Sequence, residues 1–276
     1  MSGLAEVTRV IELFQFPFMQ RALLGGIATG LMGGMLGSFT VLRQLSFFSD
    51  ALGHSALLGI SLGFLLGINP SFIVLPFAVL FALGVTYLLE RTKLWTDALL
   101  NIIYSASLAI AVITLSFVGQ YKGGLNNLLF GDILAVRDLD LALSGILLIV
   151  CTVFVLLTLR TQMLITLHEP SVIARGVAVS THRTIFIILL SLVVAISIKA
   201  IGVLLVSAFV VIPACAARLL SQTFTNYVIL SAAIGALSAV LGMILSASFN
   251  LPSGPSIVVI QLAIFLVAVA LPNLSH

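Results

Sequence analysis

ALLGGIATGLMGGMLGSFTVL occupies residues 22–42, twenty-one positions without an ionisable group, bounded by Arg21 and Arg43. About 20 apolar residues suffice for a helix to cross the hydrocarbon layer, so this run reads as a complete span. Uncharged runs recur at approximately 51–67, 71–89, 98–119, 139–159, 184–200, 203–218, 226–248 and 256–272. They predict about nine transmembrane helices. Spanning β-barrels alternate polar and apolar residues in stretches of about ten, whereas these runs are continuous, and the expected fold is an all-α integral membrane bundle. Lys199 is the only charge in 184–217, a segment too long for one span and barely enough for two, so a broken or short helix is expected there.

The composition agrees. Of 276 residues, 61% are hydrophobic and 8% charged, against about 45–50% and roughly 25% in soluble domains. The basic residues stand singly between spans, which excludes a nucleic-acid surface and leaves the lipid bilayer as the surrounding medium. Cys151 and Cys215 lie inside apolar runs with no partner at metal-ligand spacing and read as core residues. No phosphate-loop motif is present, and His168-Glu169 is followed by Val172 where a zincin would carry its second histidine. The chain therefore reads as a translocator rather than an enzyme, with any driving energy supplied by a partner. A removable signal peptide is not expected, because the first apolar run is followed by many more.

Residues 1–21 read as an amphipathic interfacial lead, with Glu6, Arg9 and Glu12 interleaved among Val10, Ile11, Leu13 and Phe14. Residues 22–276 form the transmembrane domain. One orientation puts seven basic residues inside (Arg43, Arg91, Lys93, Arg160, Arg175, Arg183, Arg218) and five outside (Arg9, Arg21, Lys122, Arg137, Lys199). The same orientation puts the long polar connection 160–183 inside, where a cytoplasmic partner could dock, with the amino terminus outside and the carboxyl terminus cytoplasmic. Small residues recur every fourth position, at Ala22, Gly26, Gly30, Gly34 and Ser38 and again at Ser55, Gly59, Gly63 and Gly67. Such stripes let helix backbones approach closely and predict a compact bundle.

Three features carry chemistry. Asp50 and His54 stand four apart, on one helix face, at the start of an uncharged segment. Intramembrane ionisable groups usually face a wet cavity and serve transport, and a carboxylate with an imidazole suits Zn²⁺, or Mn²⁺ if waters or carbonyls complete the shell. A structural account is also open, in which Asp50 caps a helix at 51 and His54 is hydrogen-bonded in the bundle. The second feature is Leu167-His168-Glu169-Pro170-Ser171-Val172-Ile173-Ala174-Arg175-Gly176, which predicts a short extramembrane helix started by Pro170 and stopped at Gly176. Two proline interruptions are the third: one at Pro213 before Arg218, the other at Leu251-Pro252-Ser253-Gly254-Pro255. Irregular backbone at membrane depth is tolerated where it is buried or lines a cavity. Arg218 is expected at the cytoplasmic end of its span, snorkelling to the headgroups.

Over nearly its whole length the chain resembles the permeases of the ABC-3 family of zinc/manganese importers, themselves similar to the vitamin B12 and siderophore permeases. Four stretches carry the resemblance: Leu42-Arg43 through Ser49-Asp50-Ala51-Leu52-Gly53-His54-Ser55, Leu129-Phe130-Gly131-Asp132-Ile133-Leu134, Gly202-Val203-Leu204-Leu205-Val206 through Pro213 to Arg218, and Leu251-Pro252-Ser253-Gly254. It implies a homodimer of permeases in the bacterial inner membrane, served by two cytoplasmic ABC ATPases and an external metal-binding protein. It further implies transported Mn²⁺ or Zn²⁺ with no permanently bound cofactor, metal contact by Asp50 and His54, and ATPase coupling through Glu169, Pro170, Ala174 and Gly176. The alternatives are a self-sufficient cation channel or secondary carrier, which needs no docking loop, and a siderophore or cobalamin permease, which needs no metal ligands.

Overall fold

The computed structural model describes residues 15–68, 70–92, 94–117 and 136–271. Most of the expected amino-terminal lead (1–14), Lys93, Lys122, the 129–134 stretch and the carboxyl-terminal residues from 272 lie outside them. Nine helices occur among the described residues: α1 (Pro17–Leu42), α2 (Ser46–Leu65), α3 (Pro70–Arg91), α4 (Thr96–Ser116), α5 (Asp138–Ala174), α6 (Val179–Ile201), α7 (Val206–Leu220), α8 (Phe224–Phe249) and α9 (Ser253–Ala270). Eight are long and apolar enough to cross a membrane. The shorter α7 spans about 22 Å at 1.5 Å per residue, less than the roughly 30 Å of hydrocarbon. The first helix opens at Pro17 and so includes residues 17–21.

The small-residue stripe explains why α1 is the central helix. A Cβ at Gly30 or Gly34 would overlap the Gly235 or Ser231 carbonyl of α8, and one at Gly37 would overlap the Val210 carbonyl of α7. The Ser231 hydroxyl donates to the Gly34 carbonyl at the same crossing. Around this close-packed trio, α5 lies along α1, α9 closes against α7 and α8, and α2 is held among α3, α4 and α7. Residues such as Leu156 and Leu157 on α5, 71% and 81% exposed, are left facing outward. In a bilayer they meet acyl chains at no cost.

Two expectations are corrected. Pro213 does not interrupt its segment, since α7 runs through it without a break. Its missing N–H frees the Phe209 carbonyl, which lies 2.9 Å from where a Cβ on Gly33 would sit, so the glycine of α1 provides the space this carbonyl occupies. The break falls at Gly202, in the gap already expected between the runs 184–200 and 203–218, buried between α6 and α7 with φ 93° and ψ 158°, a conformation essentially reserved for glycine. The second correction concerns 160–183, expected as a polar loop. It is helical to Ala174, apart from a kink at His168 (φ −155°, ψ 73°), and resumes at Val179.

Candidate functional site

Asp50 lies in the second turn of α2, because that helix starts at Ser46 and not at 51. The capping role is thereby removed. His54, one turn on, places Nδ1 3.1 Å from the Asp50 backbone carbonyl and 3.7 Å from the nearer carboxylate oxygen. A carbonyl can only accept, so in the neutral ring Nδ1 carries the proton and Nε2 keeps its lone pair for a Lewis acid. The Tyr104 ring of α4 meets the imidazole edge to face, with centroids 4.9 Å apart, and braces the other side. Both ligand candidates remain partly accessible, with 29% of the Asp50 and 15% of the His54 side chain exposed. A carboxylate open to acyl chains is expensive, so this face requires water or a partner against it.

Two further polar residues stand beside Tyr104 on α4. Asn101 and Ser105, exposed on α4, flank Tyr104 at helical spacing and pair through the Ser105 hydroxyl and Asn101 Oδ1, 3.3 Å apart. Sequence reasoning missed them, although Asn101, Tyr104 and Ser105 recur at i, i+3 and i+4 in a mostly apolar span. Among the described residues no group of three or more His, Cys, Asp or Glu could hold a metal, and the Asp50–His54 pair is two donors only.

The coupling candidates assemble elsewhere. After the His168 kink, Glu169 and Pro170 open a short helical turn closed by Gly176 at φ 75°. The Val177 N–H bonds the Val172 carbonyl and the Gly176 N–H the Ile173 carbonyl, the pairing of a Schellman stop. Val177 also packs on a small cluster of Ile165, Val172 and Val179, which seats the turn. Pro170, Ala174 and Gly176 are exposed. Glu169 accepts two bonds from Arg183 Nη2, at 2.8 and 2.7 Å, which fastens the turn to α6.

That end of the molecule also carries Arg43, just beyond α1, whose guanidinium is bonded to Gln162 and Thr166 of α5. Burial, and secondarily the Arg183 charge, lower its pKa to about 10, which leaves it cationic at neutral pH. At the opposite end Arg21 pairs with Asp138 at 3.1 Å, so α1 and α5 run parallel. Arg218 is exposed in the last turn of α7. Pro252 precedes α9 and Gly254 is buried in its first turn. Neither proline joins the Asp50–His54 face in any described contact.

Residues 15–272 match the model of the ABC 3 transport family. The chain belongs to that family. This ABC 3 permease is 36% identical over 261 residues to the manganese import system permease protein ScaB of Streptococcus gordonii, covering 93% of this chain and 92% of that one. It is 32% identical over 253 residues to the high-affinity zinc uptake system membrane protein ZnuB of Haemophilus influenzae, covering 92% and 97%. Among solved structures, PsaBC from Streptococcus pneumoniae in complex with Fab superposes with a TM-score of 0.83 at 29% identity, over 95% of each chain.

Proposed function

We propose that this permease carries Mn²⁺ or Zn²⁺ into the cytoplasm as the membrane subunit of an ABC importer, paired with a second copy of itself. Two cytoplasmic ABC ATPases and an external metal-binding protein complete the assembly. The observation that carries the reading is the oriented pair on α2: a carboxylate, and an imidazole whose Nδ1 is committed to the Asp50 carbonyl. Similarity to manganese and zinc permeases supports the same cargo.

Stoichiometry of ligands supports the pairing. Zn²⁺ usually takes four ligands and Mn²⁺ about six, while the Asp50–His54 pair supplies two. Two copies meeting across the Asp50–His54 face supply two carboxylates and two imidazoles. The carboxylates neutralise a doubly charged ion, which lowers its cost inside the bilayer. The amino terminus is then outside, the carboxyl terminus inside, and the turn carrying Glu169, Pro170, Ala174 and Gly176 faces the ATPase. Uptake of manganese and zinc, measured in parallel in cells lacking this chain, tests the reading. Loss of uptake of one metal, restored only when the ATPase is intact, is expected. Uptake that persists without the ATPase overturns it in favour of a channel or carrier.

A further inference from the structure

If metal and ATPase bind at different places, something must join the turn at 169–174 to α2. We propose that Arg43 is that joint, a positioning residue through which displacement of the α5 end reaches the helix bearing Asp50 and His54. The inference rests on the importer function proposed above.

Arg43 stands where α1 reverses into α2. The Gln44 and Leu45 N–H groups close the end of α1 on the Val41 and Thr40 carbonyls, with Gln44 held at φ 56°, and α2 starts at Ser46. The guanidinium reaches away from this turn. Nη2 donates to Gln162 Oε1 (2.6 Å) and to the Gln162 carbonyl (3.2 Å), while Nε donates to Thr166 Oγ1 (3.0 Å). The guanidinium carbon lies 4.6 Å from the Phe186 ring centre on α6 and 5.7 Å from that of Phe39 on α1. One planar cation therefore grips α5 over the last two turns before the His168 kink, ahead of Glu169, and stacks on the helix that Glu169 holds through Arg183. Charge-assisted bonds of this kind, partly withdrawn from water, transmit position stiffly.

The other side of the joint is yielding. The Arg43–Leu45 turn, Thr166, Glu169 and Arg183 line one open cleft of about 430 Å³, which leaves room on that side for the turn to shift when α5 moves. Gln162, 1% exposed, leaves Nε2 without a protein partner among the described residues. A second arrangement in which this amide finds an acceptor is thereby open to the node, as a two-position relay requires.

The test uses the full complex with its binding protein in proteoliposomes, reading manganese transported and ATP hydrolysed in the same vesicles. Arg43→Gln is expected to lower manganese per ATP at least about fivefold, the low end of ordinary coupling, while ATP hydrolysis stays within about twofold of wild type. Arg43→Lys, which keeps the charge and loses the fork, should uncouple similarly. Gln162→Ala should uncouple, and Arg43→Gln/Gln162→Ala should be no worse than Arg43→Gln alone. If Arg43→Gln fails to assemble, Thr166→Val and Gln162→Ala decide the matter by the same ratio. A wild-type ratio in the assembled variants, or transport and hydrolysis falling in proportion, overturns the relay. A wild-type complex that hydrolyses ATP without moving manganese or zinc would instead overturn the importer reading.

Discussion

Turning the His54 ring by half a revolution would present Nδ1 to an approaching ion and forfeit the hydrogen bond to the Asp50 carbonyl. The backbone of one turn thus selects which nitrogen is available to the next. Asp50→Ala and His54→Ala should each bring metal uptake to the level of cells lacking the chain, with undiminished protein in the membrane fraction. Normal uptake in both variants would remove the site. The pair was legible in the sequence because its spacing alone decides its face; the tautomer was not, because it depends on a distance. Gly202 sits at the other extreme: nothing in its neighbourhood announces a φ of 93°. Gly202→Ala should cost about 1–3 kcal/mol, read as a lowered melting temperature in detergent.

At the scale of elements, hydropathy located the helices and misjudged where α5 ends. Arg160 closes the apolar run of α5, yet the helix continues to the His168 kink, since a charge ends immersion in lipid and not backbone hydrogen bonding. Partners for Gln162 and Thr166 come from Arg43, more than a hundred residues earlier, and no local pattern contains that contact. Pro213 misled for the complementary reason: its effect depends on whether the carbonyl it frees has space, and that space is a glycine on α1. The short turn 169–174 was legible because proline and glycine act locally. Cysteines at Ser171 and Arg175 are expected to react only with reagents added from the cytoplasm and to crosslink to the ATPase. Reaction from outside would invert the topology.

For the whole molecule, the half-open Asp50–His54 face implies an arithmetic that metal analysis can read. If two copies share one site, the purified permease pair loaded with manganese and washed should retain about one ion per two chains. One ion per chain would favour separate sites, as would Asp50 carboxylates more than about 10 Å apart across the pair in every state, since ligand bonds to such ions are near 2 Å.

The parallel run of α1 and α5, tied at Arg21–Asp138 and again at Arg43–Gln162, sets a length. Along the axis of α1 the two arginines stand about 33 Å apart at 1.5 Å per residue, close to the roughly 30 Å thickness of a bilayer's hydrocarbon core. Acyl chains much shorter or longer than this length would be mismatched to the strut, at a fraction of a kcal/mol per Å. The choice of lipid chain length, with no change in sequence, should therefore tune how well the strut fits its membrane.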